Sequence, residues 1–145
     1  MNFSSLSAGD KRLLIAGGLV ALISLISFAD PSGTWGVVMI LGILGGLLAA
    51  FIAVQSQVAP TVKLPVTRGL SMLVAGGASV LSFVLAMLTY IGYISRNFAN
   101  VFVLLMVIGL IASAYIAWMG WMAYQAEPKT GTPPAAPPPP APPAA

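Results

Sequence analysis

This chain lacks the two side chains that most often build metal sites and acid–base centres, and it carries little charge. It has neither cysteine nor histidine. The absence of cysteine excludes disulfides, iron–sulfur clusters and thiolate metal sites, and the absence of histidine removes the commonest general base and metal ligand. Only 6% of the 145 residues are charged, against about 25% in a soluble domain. So few charges cannot cover the surface of a water-soluble globule.

The few charged residues are scattered, which excludes most of the remaining chemistry. The three carboxylates are Asp10, Asp30 and Glu127, and the topology predicted below places Asp30 on the opposite side of the membrane from the other two. They are therefore predicted to form neither a catalytic pair nor a metal cluster. The six basic residues make no stripe of the kind that nucleic-acid recognition requires. We expect no enzyme activity, no metal, no cofactor and no nucleic-acid partner.

Long apolar runs take the place of charge, since 59% of the residues are hydrophobic. Four runs are long enough to cross the hydrocarbon core as helices. The sequence predicts an all-α membrane protein, a four-transmembrane-helix bundle of two antiparallel hairpins. The expected parts are a cytoplasmic segment 1–12, a transmembrane domain 13–124 with spans at about 13–29, 35–54, 69–94 and 101–124, and a tail 125–145.

Two features mark the first span. Ser7 followed by Asp10 predicts an N-terminal helix cap with an acidic first turn. Lys11, Arg12 and the small residues at 27 and 29 also fit a cleaved signal peptide. The apolar run is longer than the usual signal core, so we predict a retained helix. Peptides from residues 1–29 in the mature protein would support a retained helix, and their absence would remove this span.

Most of the twelve prolines follow the last span. Proline removes backbone donors and fixes φ, so residues 125–145 are expected to form a disordered, cytoplasmic Pro/Ala tail of polyproline-II character. Pro134 and Pro137 have the spacing that aromatic-lined grooves recognise. Only Lys129 could serve as the basic anchor of such a ligand, so a solubilising or spacing tail is the preferred interpretation.

Basic and aromatic residues predict the orientation. The basic residues on one predicted side are Lys11, Arg12, Lys63, Arg68 and Lys129. Arg96 alone lies on the other side. Because cytoplasmic loops carry the excess of basic residues, both termini are expected in the cytoplasm of a multi-pass protein of the plasma (bacterial inner) membrane. Trp35 near one surface and Trp118 and Trp121 near the other are placed as interfacial anchors.

Small residues at helical spacing predict where helices pack. Lipid supplies no hydrophobic drive between helices, so close packing depends on small side chains. The expected packing stripes are Gly42, Gly46 and Ala50 in span two, Ser71, Ala75 and Ser79 in span three, and Gly109, Ser113 and Ala117 in span four. An intramolecular bundle is the preferred interpretation, and a homodimer face is the alternative. Replacing Gly42 and Gly46 by leucine should alter the oligomeric state only in the second case.

The sequence also contains a possible internal repeat. Residues 14–18 match residues 73–77, and residues 40–45 parallel residues 107–112. Each pair lies at a corresponding depth and runs in the same direction. This pattern favours a parallel repeat, in which the two hairpins are related by an axis along the membrane normal.

Hydroxyl groups are the main polar groups inside the predicted spans. They belong to Ser24, Ser27, Ser71, Ser79, Ser82, Thr89, Ser113 and Tyr115. They could line a path for a neutral solute, but serine and threonine in membrane helices readily bond to their own or a neighbouring helix. We therefore predict that most of these hydroxyls are structural.

Four short spans, the residues Lys63, Leu64 and Pro65 before span three, and the Pro-rich end resemble a loose group of uncharacterised small bacterial membrane proteins. The group includes actinobacterial four-span proteins with Pro-rich cytoplasmic tails. The resemblance covers the architecture of the whole chain, contains no specific motif and implies no activity. Members of the group have longer tails, rich in glutamine and glycine, which this chain lacks.

The leading functional hypothesis is a non-catalytic integral membrane subunit or scaffold that packs against other membrane proteins or itself. One alternative is a self-assembling pore or holin-like permeabiliser, whose induced expression should collapse the membrane potential. Another is a passive carrier of a neutral or lipid-like solute, which requires a cavity within the membrane. Small multidrug exporters have a similar size, but they rely on a carboxylate inside the first span, which this chain lacks. The lipid bilayer is the expected environment in every case.

Overall fold

The computed structural model describes residues 3–28, 36–62, 64, 66–89, 91–92 and 101–127. A short 3-10 turn at Phe3–Ser5 precedes four α-helices. These are α1 (Ala8–Phe28), α2 (Gly36–Val58), α3 (Arg68–Thr89) and α4 (Val101–Ala126). All four are long and apolar enough to cross a membrane. The described part of the chain is therefore an all-α protein with four candidate membrane spans.

The predicted cap at the start of α1 is confirmed. The backbone N–H of Asp10 donates to Ser7 Oγ at 3.1 Å, and Ser7 Oγ donates to the Asp10 carboxylate at 2.7 Å. The backbone N–H of Lys11 donates to the Ser7 carbonyl at 2.9 Å. Ser7 thus satisfies N–H groups that have no partner inside the helix, and the Asp10 charge lies in the first turn, where the helix dipole favours it.

The helices differ from the predicted spans at their ends. α1 begins at Ala8, before the apolar run, because the Ser7 cap allows the helix to start in a polar segment. α2 continues to Val58, so the loop predicted from Gln55 begins later than expected. The glutamines of this last turn hold it in place: Gln55 Nε2 donates to the Val62 carbonyl at 2.6 Å, and Gln57 Nε2 donates to Ser5 Oγ at 2.9 Å. The predicted turns at 30–34 and 95–100 and the tail lie outside the described residues.

The four helices form a ring. α1 packs on α2, α2 on α3, and α3 on α4, while α4 returns to α1 in the loosest of the four interfaces. The centre contains large side chains that are almost fully buried, namely Leu13, Ile23, Met39, Phe83, Met106 and Ile116. The outward faces carry exposed leucine, isoleucine and valine on every helix. Such an apolar exterior suits lipid as the surrounding solvent.

Candidate functional site

The α1/α2 interface is built on glycine. A Cβ added to Gly17 would lie 2.7 Å from both the Ala50 nitrogen and the Gly46 carbonyl oxygen. Real Cβ atoms do not approach other atoms so closely, and therefore the two backbones touch only because the side chain is absent. Further along α1, Ser24 Oγ occupies the space beside Gly42. As α1 advances from Gly17 to Ser24, its contacts move back along α2, so the two helices run in opposite directions.

The α2/α3 interface combines glycine with serine. Gly45 faces Ser79 Oγ, and its added Cβ would lie 2.5 Å from the Ala75 carbonyl oxygen. Ser79 Oγ donates to that same carbonyl at 2.9 Å. Ser82 Oγ donates across the interface to the Val38 carbonyl at 2.6 Å. The adjacent residues Gly45 and Gly46 therefore serve two different neighbours, α3 and α1, because successive side chains on a helix point about 100° apart.

The α3/α4 interface also runs antiparallel and uses small residues. A Cβ on Gly76 would lie 2.6 Å from the Ala117 Cα, and one on Gly120 would lie 2.5 Å from the Leu73 nitrogen. Nearer the other end, the ring of Phe83 fills the space beside Gly109. Gly69 at the start of α3 lies against the backbone of Ala123 and Tyr124.

The predicted packing residues mostly lie at these interfaces. Gly42, Gly46 and Ala50 face α1, and Gly42 also faces Ser82 of α3. Ala75 and Ser79 face α2, while Gly109 and Ala117 face α3. Ser113 is buried and donates to the Gly109 carbonyl at 2.7 Å within its own helix. Ser71 is buried, but its hydroxyl forms no hydrogen bond within the described residues.

Two contacts in the first half of the chain have counterparts at the positions that the predicted repeat aligns with them. The predicted repeat aligns residues 14–18 with 73–77 and residues 40–45 with 107–112. When both alignments are extended along the helices, the contact between Gly17 and Ala50 corresponds to the contact between Gly76 and Ala117. The Ser24–Gly42 contact becomes Phe83–Gly109 in the same registers. Both pairs are observed. The match concerns residues in contact across a helix pair.

One end of the bundle, which we call the polar end, collects polar contacts between helices. Arg68 at the start of α3 pairs with the Asp10 carboxylate of α1. The Gly69 N–H donates to Glu127 Oε1 at 2.8 Å, so the carboxylate that follows α4 caps the N-terminus of α3. Together with the Gln57–Ser5 bond these contacts hold the start of α1, the end of α2, the start of α3 and the end of α4 at one end.

Some of the predicted membrane anchors lie in the part of the chain that the structure describes, and others lie outside it. Lys11 Nζ donates to the Ser4 carbonyl at 3.3 Å and lies 5.6 Å from the Phe3 ring centroid. Trp118 and Trp121 are exposed, with their rings 6.0 Å and 6.4 Å from those of Tyr115 and Tyr124. Trp35 and Lys63 lie outside the described residues. Arg12 and Arg68 lie with these groups toward the polar end.

Half of the eight hydroxyls within the spans bond to the protein, fewer than predicted. Ser79, Thr89 and Ser113 each donate to the carbonyl four residues earlier in their own helix. Ser82 donates to a neighbouring helix. Ser24, Ser27 and Ser71 are buried, and their hydroxyls have no partner among the residues described. Within the same described ranges, no group of three or more acidic side chains could hold a metal ion.

A groove of about 550 Å³ opens between α1 and α4. Its α1 wall is formed by Arg12, Ile15, Ala16 and Leu19, and its α4 wall by Ile108, Ile111, Ala112 and Tyr115. Each set follows helical spacing over about two turns. Because α1 and α4 run antiparallel, Arg12 and Tyr115 lie at the same end of the groove, toward the polar end.

Sequence reasoning missed this groove and its residues as a site. The sequence marks Arg12 as a topological anchor or a signal-peptide charge, and it marks Tyr115 as an internal hydroxyl. The sequence does contain a pattern that indicates the groove, because the lining residues of each helix are spaced at i, i+3, i+4 and i+7. Apolar residues at that spacing occur on every face of a membrane helix, however, so the pattern could not select this face. No protein-family model matches the chain, and no significant match was found among curated proteins or solved structures.

Proposed function

We propose that this protein is a non-catalytic integral membrane subunit or scaffold that packs against other membrane proteins. The observation that carries the proposal is the position of two glycines, Gly18 in α1 and Gly77 in α3. Both are exposed, and a Cβ at either would meet nothing within 4 Å. They leave two notches on the outer surface of the bundle. The glycines that closely contact a neighbouring helix within the chain are Gly17, Gly42, Gly45, Gly46, Gly69, Gly76, Gly109 and Gly120.

An outward glycine has a cost that lipid contact alone does not explain. Glycine in a helix interior is about 1 kcal/mol less favourable than alanine. Lipid tails adapt to any apolar side chain, whereas the backbone of another helix approaches closely only where side chains are small. Gly18 and Gly77 are equivalent in the aligned repeat, so each half of the chain presents one such notch. We propose that these notches receive helices of a partner protein.

The same proposal includes the arrangement in the membrane. We propose two antiparallel hairpins, α1 with α2 and α3 with α4, related as a parallel internal repeat. The corresponding contacts Gly17–Ala50 and Gly76–Ala117 support it. The polar end is assigned to the cytoplasmic side of a bacterial plasma membrane, since Lys11, Arg12 and Arg68 lie there. A cysteine placed at exposed Ala126 should then react with an impermeant maleimide only after the membrane is opened.

The scaffold function is tested by partner retention. The tagged full-length protein is purified in mild detergent, and the retained proteins are identified by mass spectrometry. We expect a stoichiometric membrane protein with the wild-type chain and its loss from the double variant Gly18→Leu, Gly77→Leu. Val74→Leu, which adds bulk to an exposed position one turn from Gly77, should retain it.

Two results would count against the scaffold function. The first is a wild-type chain that carries no stoichiometric partner. The second is a double glycine variant that keeps its partner as well as Val74→Leu does. Neither glycine touches another helix, so the double variant is expected to fold. Circular dichroism measures whether it keeps the helicity of the wild-type chain.

A second candidate is favoured by the groove between α1 and α4. Passive carriage of a lipid-like solute requires a cavity at membrane depth, and this groove has apolar walls over most of its length. Carriage predicts that the reconstituted protein speeds the movement of a fluorescent lipid between the two leaflets of a vesicle. An unchanged rate would reject carriage and leave the groove as a binding surface.

A further inference from the structure

We propose that the groove between α1 and α4 binds one anionic phospholipid, with the phosphate on Arg12 and an acyl chain along the apolar walls. This inference does not depend on the scaffold function. It rests on the shape of the groove, on the position of one unpaired cation, and on the lack of a competing anion in the described part of the chain.

The groove has the shape of a chain-binding site. Ile15 and Leu19 of α1 face Ile108 and Ile111 of α4 across it. Seven residues of helix rise give each wall a length of about 10 Å along the bundle. The two polar side chains of the lining, Arg12 and Tyr115, lie together at the end nearer the membrane surface. A phospholipid has the same division, with its headgroup at the surface and its acyl chains directed inward.

Arg12 differs from the other described cations in having no partner. Lys11 donates to the Ser4 carbonyl and lies over the Phe3 ring. Arg68 pairs with Asp10. Arg12 is exposed at the mouth of the groove, and it forms neither an ion pair nor a hydrogen bond with any described residue. A guanidinium presents a planar fork of donors that suits the two free oxygens of a phosphodiester.

Tyr115 lies at the same end of the groove as Arg12. Its hydroxyl has no hydrogen-bond partner in the ranges that the structure describes, its side chain is partly buried, and it lines the groove with the carbon atoms of its ring. An unsatisfied hydroxyl facing hydrocarbon is unfavourable. The phosphate and ester oxygens of a lipid lie above its acyl chains, and in the proposed orientation Arg12 lies at the end of the groove nearer the membrane surface. Arg12 at the end of an apolar groove therefore matches the phosphate and the acyl chain of a bound phospholipid.

A helix from a second copy of this chain fits less well. Its described carboxylates are already occupied, since Asp10 pairs with Arg68 and Glu127 caps α3. Asp30 belongs to the opposite end in the predicted topology. A second copy would therefore cover Arg12 without neutralising it, and burying an unpaired charge is costly. An anionic lipid brings its own negative charge.

The test measures which lipid remains bound. The full-length protein is reconstituted into vesicles of equal parts phosphatidylcholine and phosphatidylglycerol, extracted in mild detergent and analysed by native mass spectrometry. We expect one retained phosphatidylglycerol per chain, enriched about five-fold over phosphatidylcholine. Arg12→Gln should bring that enrichment close to one. Lys11→Gln removes the same charge one residue away without altering the groove, and it should leave the enrichment unchanged.

Further variants separate the acyl-chain contact from the headgroup contact. Arg12→Lys keeps the positive charge but loses the planar guanidinium, so it should retain part of the enrichment. Comparison with Arg12→Gln then shows how much of the enrichment depends on charge alone. Ala112→Phe fills the groove and should abolish retention of both lipids. Circular dichroism and gel filtration confirm that each variant is folded.

Three outcomes would overturn the proposal. Equal retention of the two lipids by the wild-type protein would show no preference for an anionic headgroup. An equal loss in Lys11→Gln and Arg12→Gln would mean that surface charge, and not the groove, selects the lipid. A lipid-free dimer would assign the groove to a second copy of the chain.

Discussion

The α2/α3 and α1/α4 interfaces occupy equivalent places in the ring of helices, but they differ in closeness. In the proposed repeat, Gly45 of α2 corresponds to Ala112 of α4, and Ala75 of α3 corresponds to Ala16 of α1. Gly45 touches the backbone of Ala75, whereas Ala112 and Ala16 line an open groove. Ala112 carries a methyl group where Gly45 carries only hydrogen, and a methyl group at a helix contact keeps the two backbones further apart.

Polar contacts follow the same division. Ser79 and Ser82 serve the closed interface, one bonding to its own helix and one to the carbonyl of Val38. Their counterparts in α1 are Val20 and Ile23, which have no hydroxyl to donate. In the proposed repeat, two equivalent interfaces differ in how closely their helices approach. The pairs Gly45/Ala112 and Ser82/Ile23 of that repeat distinguish the closed interface from the open one.

The largest effect is expected from adding bulk to the closed interface. Gly45→Leu should destabilise the bundle by about 3 kcal/mol, because its Cβ already meets Ser79 and the Ala75 carbonyl. The matched variant Ala112→Leu projects into the groove and should cost under about 1 kcal/mol. SDS unfolding followed by circular dichroism compares the two. Similar losses in both variants would mean that the two interfaces are equally close.

A smaller effect is expected from the hydroxyl that crosses the closed interface. Ser82→Ala removes the hydrogen bond to the Val38 carbonyl and should cost about 0.6 kcal/mol. Thr89→Ala removes an exposed bond within one helix and should change stability by less than about 0.5 kcal/mol. The same unfolding assay measures both. If Thr89→Ala were the more damaging variant, the hydroxyl of Ser82 would not be contributing to helix association.

The smallest effect concerns the ion pair at the polar end, which joins α1 to α3 outside both interfaces. Arg68 remains about half exposed, at 52% of its side chain, so solvent screens its attraction to Asp10. A double-mutant cycle with Asp10→Asn and Arg68→Gln should give a coupling of about 0.5 kcal/mol that falls as salt is added. A coupling several times larger and insensitive to salt would show that this pair, and not helix packing, holds the hairpins together.

The fold class was predictable from the sequence, because four apolar runs and very few charges leave only one solvent for the chain. The cap at Ser7 was predictable as well, since it depends on residues three apart in the chain. The stripe at Gly42 and Gly46 pointed to close packing, and both glycines do meet neighbouring helices. Local spacing sufficed for each of these features.

The partner of each small residue could not be predicted. Gly45 and Gly46 are adjacent in sequence, yet they serve different helices, and only the order of helices around the ring decides which. Glu127 caps α3 from the far end of the described chain, a contact that no local pattern indicates. The groove exists because the helices of the α1/α4 interface approach less closely than those of the α2/α3 interface. The sequence of either helix pair alone does not show this.

Disulfide cross-linking tests the contrast between the two interfaces most directly, and the absence of cysteine leaves no background. One variant carries Val38→Cys with Ser82→Cys across α2/α3, and the other carries Ala16→Cys with Ala112→Cys, which line the groove between α1 and α4. Trypsin cleavage at Lys63 or Arg68 separates both pairs unless a disulfide joins them. After mild oxidation in vesicles, we expect the first pair to remain joined and the second to separate. Equal cross-linking of both pairs, or faster cross-linking of the second, would contradict one closed and one open interface.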